Sequence, residues 1–360
     1  MDEKGSLDAA SVTLIVEPRS HGHRLYYSRL LIDKCYSRGD KVVILTTRES
    51  VESPEWQVHI GDRNPTTVLH QPAEFSLSDV ADVSNKLGAS ITIVPDADCY
   101  LLPAFLGGWT GAGKLNMLVM RGDVQPGPPL PWLRPAKTFV KRVLVLGSGW
   151  RSRVRVFVLR SPLVHRQGPF HWVADPVTLD CTAQETQAVR DCLDNDRYWF
   201  GVFGAITPRK NLPLILEAIL NEPRTGLLIA GIVDPTVVEA TTPLFAKFVA
   251  NGGQVIQLPG TITDAEFDSA IGAVDCVVAA HSNEGPSGVV AKAAAAGRRL
   301  ILAGAESLRQ DAFYLGEQAS WSPLRSEDLC RAMQRAQRLP APAKSVELGV
   351  GEFLEALAWR

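Results

Sequence analysis

Residues 274–302 constrain the fold more than any other stretch of this chain. Val274-Asp275-Cys276-Val277-Val278-Ala279-Ala280-His281 is short, rich in β-branched residues and closed by polar ones, the pattern of a buried strand. Ser282-Asn283-Glu284-Gly285-Pro286-Ser287-Gly288 carries two glycines, a proline and two hydroxyls and cannot continue that strand. Val289-Val290-Ala291-Lys292 and the four alanines after it form a helix with one charge, with Ser287 expected as its N-cap and Gly297 as its C′ glycine. Leu300-Ile301-Leu302 then begins another strand. A helix so apolar all round is buried on most sides. Its N-terminus points out of the core at a glycine-rich loop with one carboxylate, which suits an anion with a sugar-binding or reactive group beside it.

The same alternation runs through the rest of the chain. Residues 11–18 read as a strand, 25–37 as a helix with Leu25, Leu30, Leu31 and Cys35 at helical spacing, and 41–46 as a second strand. This βαβ opening implies a parallel sheet. Further strands are expected at 56–60, 91–95, 115–120 and 154–159, and helices at 78–87 and 100–106. An extended segment, 170–177, contains Asp175-Pro176, which disfavours helix, and marks a boundary between a domain 1–175 and a domain 176–360. The second domain reads helix 183–193, strand 198–203, helix 212–220, strand 227–230, helix 235–250, strand 254–258 and helix 264–272. The fold class is therefore α/β, with two doubly wound, Rossmann-like domains. The last helix, 351–359, is placed to pack back across the domains.

Two domains also suit a length of 360 residues, and 46% apolar with 21% charged residues is a globular composition. A net charge of −2 gives no general bias toward nucleic acid. The polar, acidic N-terminus is unlike a signal peptide, and no apolar run approaches the ~18 residues of a spanning helix. Six scattered cysteines without a Cys-x-x-Cys pair read as free thiols in a reducing compartment, so the expected location is cytoplasmic.

Loops after the strands lie at the sheet edge where such folds hold ligands. Gly22 and His23 follow the first strand there, and Asp96 and Asp98 follow the strand at 91–95. The two aspartates are placed either to orient acceptor hydroxyls or to cap the helix at 100–106. His21 and His23 have no carboxylate or cysteine companions for a metal, and none is expected. Gly108-Trp109-Thr110-Gly111-Ala112-Gly113-Lys114 nearly spells a phosphate loop, but Leu115 replaces the required hydroxyl and the flanking order is helix then strand, so it is a chance match. Residues 124–174 contain no acid. Within them the basic segment 134–160, interleaved with Phe139, Leu144, Leu146 and Trp150, is either a face that meets anionic lipid or a solvated helix and a strand.

Glu284-Gly285, followed after six residues by Lys292-Ala293, resembles the donor-site loop and helix of retaining, family 4-like glycosyltransferases of the GT-B fold. In that family the pattern is Glu-Gly-x-x-x-x-x-x-Glu-Ala, so Lys292 stands in place of the second Glu. Gly204 to Asn211 resembles the family's Gly-Arg-x-x-x-x-Lys loop, with Lys210 matching and the upstream Arg absent; Arg209 is the candidate to compensate. Gly22-His23 before Tyr27 resembles its acceptor-side loop.

The resemblance implies GT-B architecture, two Rossmann-like domains facing across a cleft, with acceptor-binding residues Gly22, His23 and Asp96 in the first. It implies a UDP-sugar or similar nucleotide-sugar donor held by Gly204, Arg209, Lys210, Glu284, Gly285, Ser287, Gly288 and Lys292. Glu284 is the expected catalytic residue, binding and orienting the sugar. It further implies transfer with retention of configuration, no cofactor beyond the nucleoside diphosphate sugar, and no metal because protein cations replace it. Lys292 is either a surface lysine or, as the only ionisable residue of its helix, one that reaches back to the donor's phosphate or ribose. Three alternatives stay open: an epimerase or phosphorylase of the same fold, a degenerate non-catalytic sugar-nucleotide binding subunit, and a transferase acting on DNA or protein. The acceptor, whether glycan, lipid-linked compound, small molecule or polymer, is unknown from the sequence, as is the oligomeric state.

Overall fold

The computed structural model describes residues 11–20, 24–69, 75–120, 134–164, 168–258, 262–342, 346 and 348–358. The chain forms two compact units: Met1–Arg160 with Arg166–Pro176 and Val350–Arg360, and Ser161–His165 with Val177–Gly349.

The first unit is built on a seven-stranded sheet: β1 (Val12–Val16), β2 (Lys41–Thr46), β3 (Thr66–Leu69), β4 (Ile91–Val94), β5 (Lys114–Val119), β6 (Val154–Arg160) and β7 (His171–Ala174). Their order is β3-β2-β1-β4-β5-β6-β7, every pairing parallel, with Leu14 level with Val43 on one side and Thr92 on the other. Both faces of β1 are buried, which is why it is apolar at every position but Thr13. Leu14 and Val16 enter one core with Val43, Leu77 and Met117; Ile15 enters the other with Leu25, Tyr27, Ile44 and Ile93.

The helix Gly351–Leu357 belongs to this unit. Phe353 and Leu357 fill the Ile15 core, Asn116 Nδ2 donates to Leu357 O at 2.8 Å, and Arg160 pairs with Glu352 at 2.6 Å.

One expected strand, at 56–60, is a helix, Pro54–His59. Ser53 caps it by accepting from the Trp56 N–H at 3.2 Å, and Pro54 at the first turn favours helix over strand; a short run with Trp56 and Val58 cannot reveal this by periodicity alone. Asp96 and Asp98 do not cap a helix: Asp96 pairs with Arg24 at 2.6 Å and Asp98 with Lys141 at 3.1 Å, while the short helix Leu101–Gly107 has no side-chain cap.

The second unit holds six parallel strands: β8 (Tyr198–Phe203), β9 (Thr225–Ala230), β10 (Gln254–Leu258), β11 (Cys276–His281), β12 (Arg299–Gly304) and β13 (Ala319–Ser322), in the order β10-β9-β8-β11-β12-β13. The helix Gly288–Ala295 lies between β11 and β12 in sequence, with Val290, Ala291, Ala293 and Ala294 buried. It ends as expected at Gly297, φ +68°, with Arg298 N–H to Ala293 O at 2.9 Å and Gly297 N–H to Ala294 O at 3.1 Å, the Schellman arrangement. Ser287 takes the N-cap position but its side chain makes no capping bond.

Candidate functional site

In the second unit the strand order reverses between β8 and β11: the chain runs outward from β8 through β9 to β10, and outward from β11 through β12 to β13. The crevice at the carboxyl ends of such a pair is where open α/β sheets hold ligands. The loops leaving these two strands are 204–211 and 282–288, so the topology brings both sequence motifs to one place.

The two loops are stitched together. Ser282 N–H donates to Arg209 O at 3.0 Å, Arg209 donates to Asn283 Oδ1 at 3.0 Å, and Asn211 Nδ2 donates to Ala280 O at 2.9 Å. Gly204 makes the turn after β8 with φ +89°, and Gly231, φ +127°, lies so close that a Cβ there would stand 2.3 Å from Gly204 O. A Cβ on Gly204 would meet Lys210 Nζ at 3.4 Å and Val289 Cγ2 at 3.7 Å, so the Lys210 ammonium, Gly204 and the start of the Gly288–Ala295 helix converge.

Lys210 is buried, and its ammonium makes one hydrogen bond, to Phe203 O at 2.6 Å. Burial, with the Arg209 charge adding to it, pushes its pKa down to about 7. Beside it the His281 ring is buried with Nε2 unpartnered among the described residues, and burial first, then the Lys210 and Arg209 charges, lowers its pKa to about 3. Thr207 Oγ1, in the turn that carries Lys210, is also buried without a partner among the described residues. Buried polar groups without partners are costly, and an anion that accepts from the Lys210 ammonium and the Thr207 hydroxyl lifts part of that cost. His281 reads in the sequence as a strand terminus, and nothing there marks it as part of the site.

Glu284 has both carboxylate oxygens engaged: Oε1 accepts from Glu306 N–H at 3.0 Å and Oε2 from Ser307 N–H at 2.9 Å, at the start of the helix Glu306–Leu315. Gly285 N–H donates to Ser307 Oγ at 3.2 Å, with Gly285 at φ +136°. The loop is thereby pinned to the next helix, and Ser287 and Gly288 are buried at the N-terminus of the helix Gly288–Ala295.

Lys292 is committed elsewhere. Its Nζ lies 2.6 and 2.7 Å from the two oxygens of Asp268, which is wholly buried and also accepts from Asp180 N–H at 2.7 Å. The expectation that it reaches back to a donor phosphate gives way to an ion pair between two helices. In the first unit Asp96 lies after β4 as expected, while Gly22 and His23 lie outside the described residues. Among the described residues no group of three His, Cys, Asp or Glu side chains is arranged to hold a metal ion.

The basic segment is not one charged face. Arg151 donates to Phe105 O, Arg153 to Gly111 O and Trp109 O, Lys141 pairs with Asp98, and Arg160 pairs with Glu352 inside the unit. On the helix Arg134–Gly149 and just after it, Lys137 and Arg142 stay exposed beside Phe139 (68%), Val140, Val143 and Trp150 (87%).

No protein-family model matches the chain, and no curated protein matches it in sequence. Solved structures do match in fold. A sucrose-phosphate synthase from Thermosynechococcus elongatus is similar at TM-score 0.65 with 15% identity, covering 91% of this chain and 90% of its own. HepE from Anabaena, solved in complex with UDP and glucose, is similar at 0.61 with 13% identity, covering 91% and 89%. WaaG, a glycosyltransferase of lipopolysaccharide biosynthesis, is similar at 0.58 with 11% identity, covering 91% and 90%. The chain has the GT-B fold of these proteins, with two Rossmann-like α/β units.

Proposed function

We propose that the chain is a glycosyltransferase that takes a hexose-type sugar from a nucleoside diphosphate sugar and transfers it, with retention of configuration, to an acceptor bound by the first unit. The observation that carries this reading is the buried, singly bonded Lys210 ammonium at the β8/β11 crevice, with His281 Nε2 and Thr207 Oγ1 unpartnered near it. A diphosphate supplies further acceptors for the Lys210 ammonium and one for the Thr207 hydroxyl. Its charge grows as it leaves the sugar, and fixed cations in a water-poor site stabilise that growth. Lys210 and Arg209 supply the positive charge that a metal supplies elsewhere. Gly204 lets the backbone approach, and Gly285, Ser287 and Gly288 present the helix N-terminus. Glu284 holds the loop in shape, and a carboxylate oxygen that already accepts one backbone N–H can accept a second hydrogen bond from a sugar hydroxyl. Lys292 is left out of the donor site because Asp268 occupies it. The likeness to HepE, solved with UDP and glucose, supports the choice of UDP as first ligand to test.

The test is binding of UDP, ADP, GDP and dTDP by calorimetry, followed by NMR of the product anomer formed from the matching labelled sugar nucleotide. An anomer of inverted configuration would contradict retention. A second reading, a subunit that binds the sugar nucleotide without transferring it, is favoured by Glu284 spending both oxygens on backbone N–H groups. Donor hydrolysis or transfer by the purified protein excludes it.

We further propose contact with an anionic membrane surface through Lys137, Phe139, Val140, Arg142, Val143 and Trp150, where exposed apolar side chains sit beside exposed basic ones. Among the described residues no helix is long and apolar enough to cross a membrane, so this contact is peripheral. Six free cysteines suit a cytoplasmic setting.

A further inference from the structure

The sheet of the first unit has its own reversal of strand order, between β1 and β4: the chain runs outward from β1 through β2 to β3, and outward from β4 through β5, β6 and β7. The crevice at the carboxyl ends of β1 and β4 is thus the counterpart of the β8/β11 crevice. Glu17 is the first residue after β1, Asp96 follows β4, and Arg24 opens the helix Arg24–Ser37.

Glu17 is 1% exposed. Its N–H donates to Leu45 O at 3.0 Å and its Oε1 accepts from Arg19 N–H at 3.0 Å, but Oε2 has no partner among the described residues. Burial pushes its pKa up to about 8 against the pull of the Arg19 N–H and the Arg24 and Arg19 charges, and the nearby Asp96 charge raises it further. The carboxyl is therefore mostly protonated at neutral pH and donates where an ordinary carboxylate only accepts. Asp96 has the opposite character. Arg24 binds its Oδ2 alone, at 2.7 Å from Nε and 2.6 Å from the terminal nitrogen, and Oδ1 has no hydrogen bond among the described residues. Asp96 is near enough for its charge to act on Glu17, and each carboxyl group has one oxygen without a hydrogen bond among the described residues. An apolar group would leave both oxygens unmet. A hydroxyl is the group that both gives and takes a hydrogen bond.

We propose that Glu17 and Asp96 each hydrogen-bond one of two neighbouring hydroxyl groups of a neutral polyhydroxylated ligand at this crevice. Resting on the glycosyltransferase reading, that ligand is the sugar or polyol portion of the acceptor, and Glu17 joins Asp96 as a residue that holds it. Glu17 is invisible as a site residue in the sequence, where it looks like the polar end of a strand.

The experiment is saturation-transfer NMR of the full chain with glucose, galactose, mannose, N-acetylglucosamine, myo-inositol and glycerol, with UDP affinity measured on the same samples. At least one of these binds the wild-type chain, and Glu17→Leu weakens it about tenfold, the loss of one well-made hydrogen bond, while UDP affinity is unchanged. Glu17→Gln, whose amide still donates, recovers part of the loss, and Asp96→Asn weakens the same ligand independently. The proposal is overturned if none of the six binds, or if binding is equal in wild type, Glu17→Leu and Asp96→Asn. A chain that binds UDP but shows no Glu17 dependence keeps the donor site and loses this one. A chain that binds a saccharide through Glu17 but no nucleoside diphosphate does the reverse.

Discussion

Lys292 Nζ sits between the two oxygens of Asp268, at 2.6 and 2.7 Å, and so ties the helix Gly288–Ala295 to the helix Asp264–Ala273. Asp268 is fully buried, and burial raises its pKa while the lysine opposes the rise. Lys292→Met leaves a buried carboxyl without its cation and should cost about 3–5 kcal/mol of stability. The folded protein then holds Asp268 protonated over a pH range in which the unfolded chain is ionised. The folded state therefore binds more protons, and stability falls as pH rises. Urea unfolding should show Lys292→Met most destabilised at high pH, with Asp268→Asn combined with Lys292→Met recovering much of the loss. A variant as stable as wild type but weakened in UDP binding would return Lys292 to the donor site.

The Lys210 pKa of about 7 predicts the pH dependence of donor binding. Below pH 7 the ammonium is already charged and binding a diphosphate needs no proton. Above pH 7 the free protein is mostly neutral at Lys210, the anion favours the charged form, and binding takes up a proton. UDP affinity should therefore fall by up to about tenfold per pH unit above pH 7, with heats that depend on the buffer's ionisation enthalpy. Affinity constant from pH 6 to 9 would count against Lys210 as the phosphate ligand.

His281 makes the protein acid-sensitive. Its folded pKa is about 3, so between pH 6.5 and 3 the unfolded chain binds a proton that the folded one refuses. Stability falls through that window as pH drops. In His281→Gln the fall should be shallower, as read by thermal unfolding at pH 7 and pH 4.5. An unchanged slope would show that the ring titrates alike in both states.

Glu284→Gln keeps an acceptor for one of the two N–H groups of Glu306 and Ser307 and removes the charge. If the carboxylate acts on the sugar during transfer, turnover falls far more than donor affinity. If Glu284 only pins the loop, Glu284→Gln transfers at nearly the wild-type rate, whereas Glu284→Ala, losing the helix cap, is less stable by about 1 kcal/mol.

Trp150 and Phe139, 87% and 68% exposed, carry the membrane proposal. Co-sedimentation with anionic vesicles should be strong at low salt, fall steeply with added salt, and drop in Phe139→Ser with Trp150→Ser. No sedimentation at low salt would make the segment a solvated face.

Strands buried on both faces were legible because β1, β8, β11 and β12 are mostly apolar runs between polar loops, and the Gly297 helix end was legible because glycine is the residue that most readily takes its left-handed backbone. The 204–211 and 282–288 loops could be picked out by residue type, and the β8/β11 reversal brings them together. What escaped depends on partners distant in sequence. Lys292 looks like a donor ligand or a surface lysine until Asp268, 24 residues away, is placed against it. Glu17 and His281 look like strand ends until burial strips them of partners. The basic run dissolves into hydrogen bonds to Phe105, Trp109 and Gly111 that no local pattern predicts.

The most direct measurement is calorimetric titration of UDP, ADP, GDP and dTDP into wild type and Lys210→Met at pH 7. The wild-type chain should bind at least one of them, and Lys210→Met, which keeps the volume and removes the charge, should weaken it by about 1.5–3 kcal/mol, roughly 10- to 150-fold. No binding of any of the four, or equal affinity in the two proteins, would contradict the donor site described for Lys210.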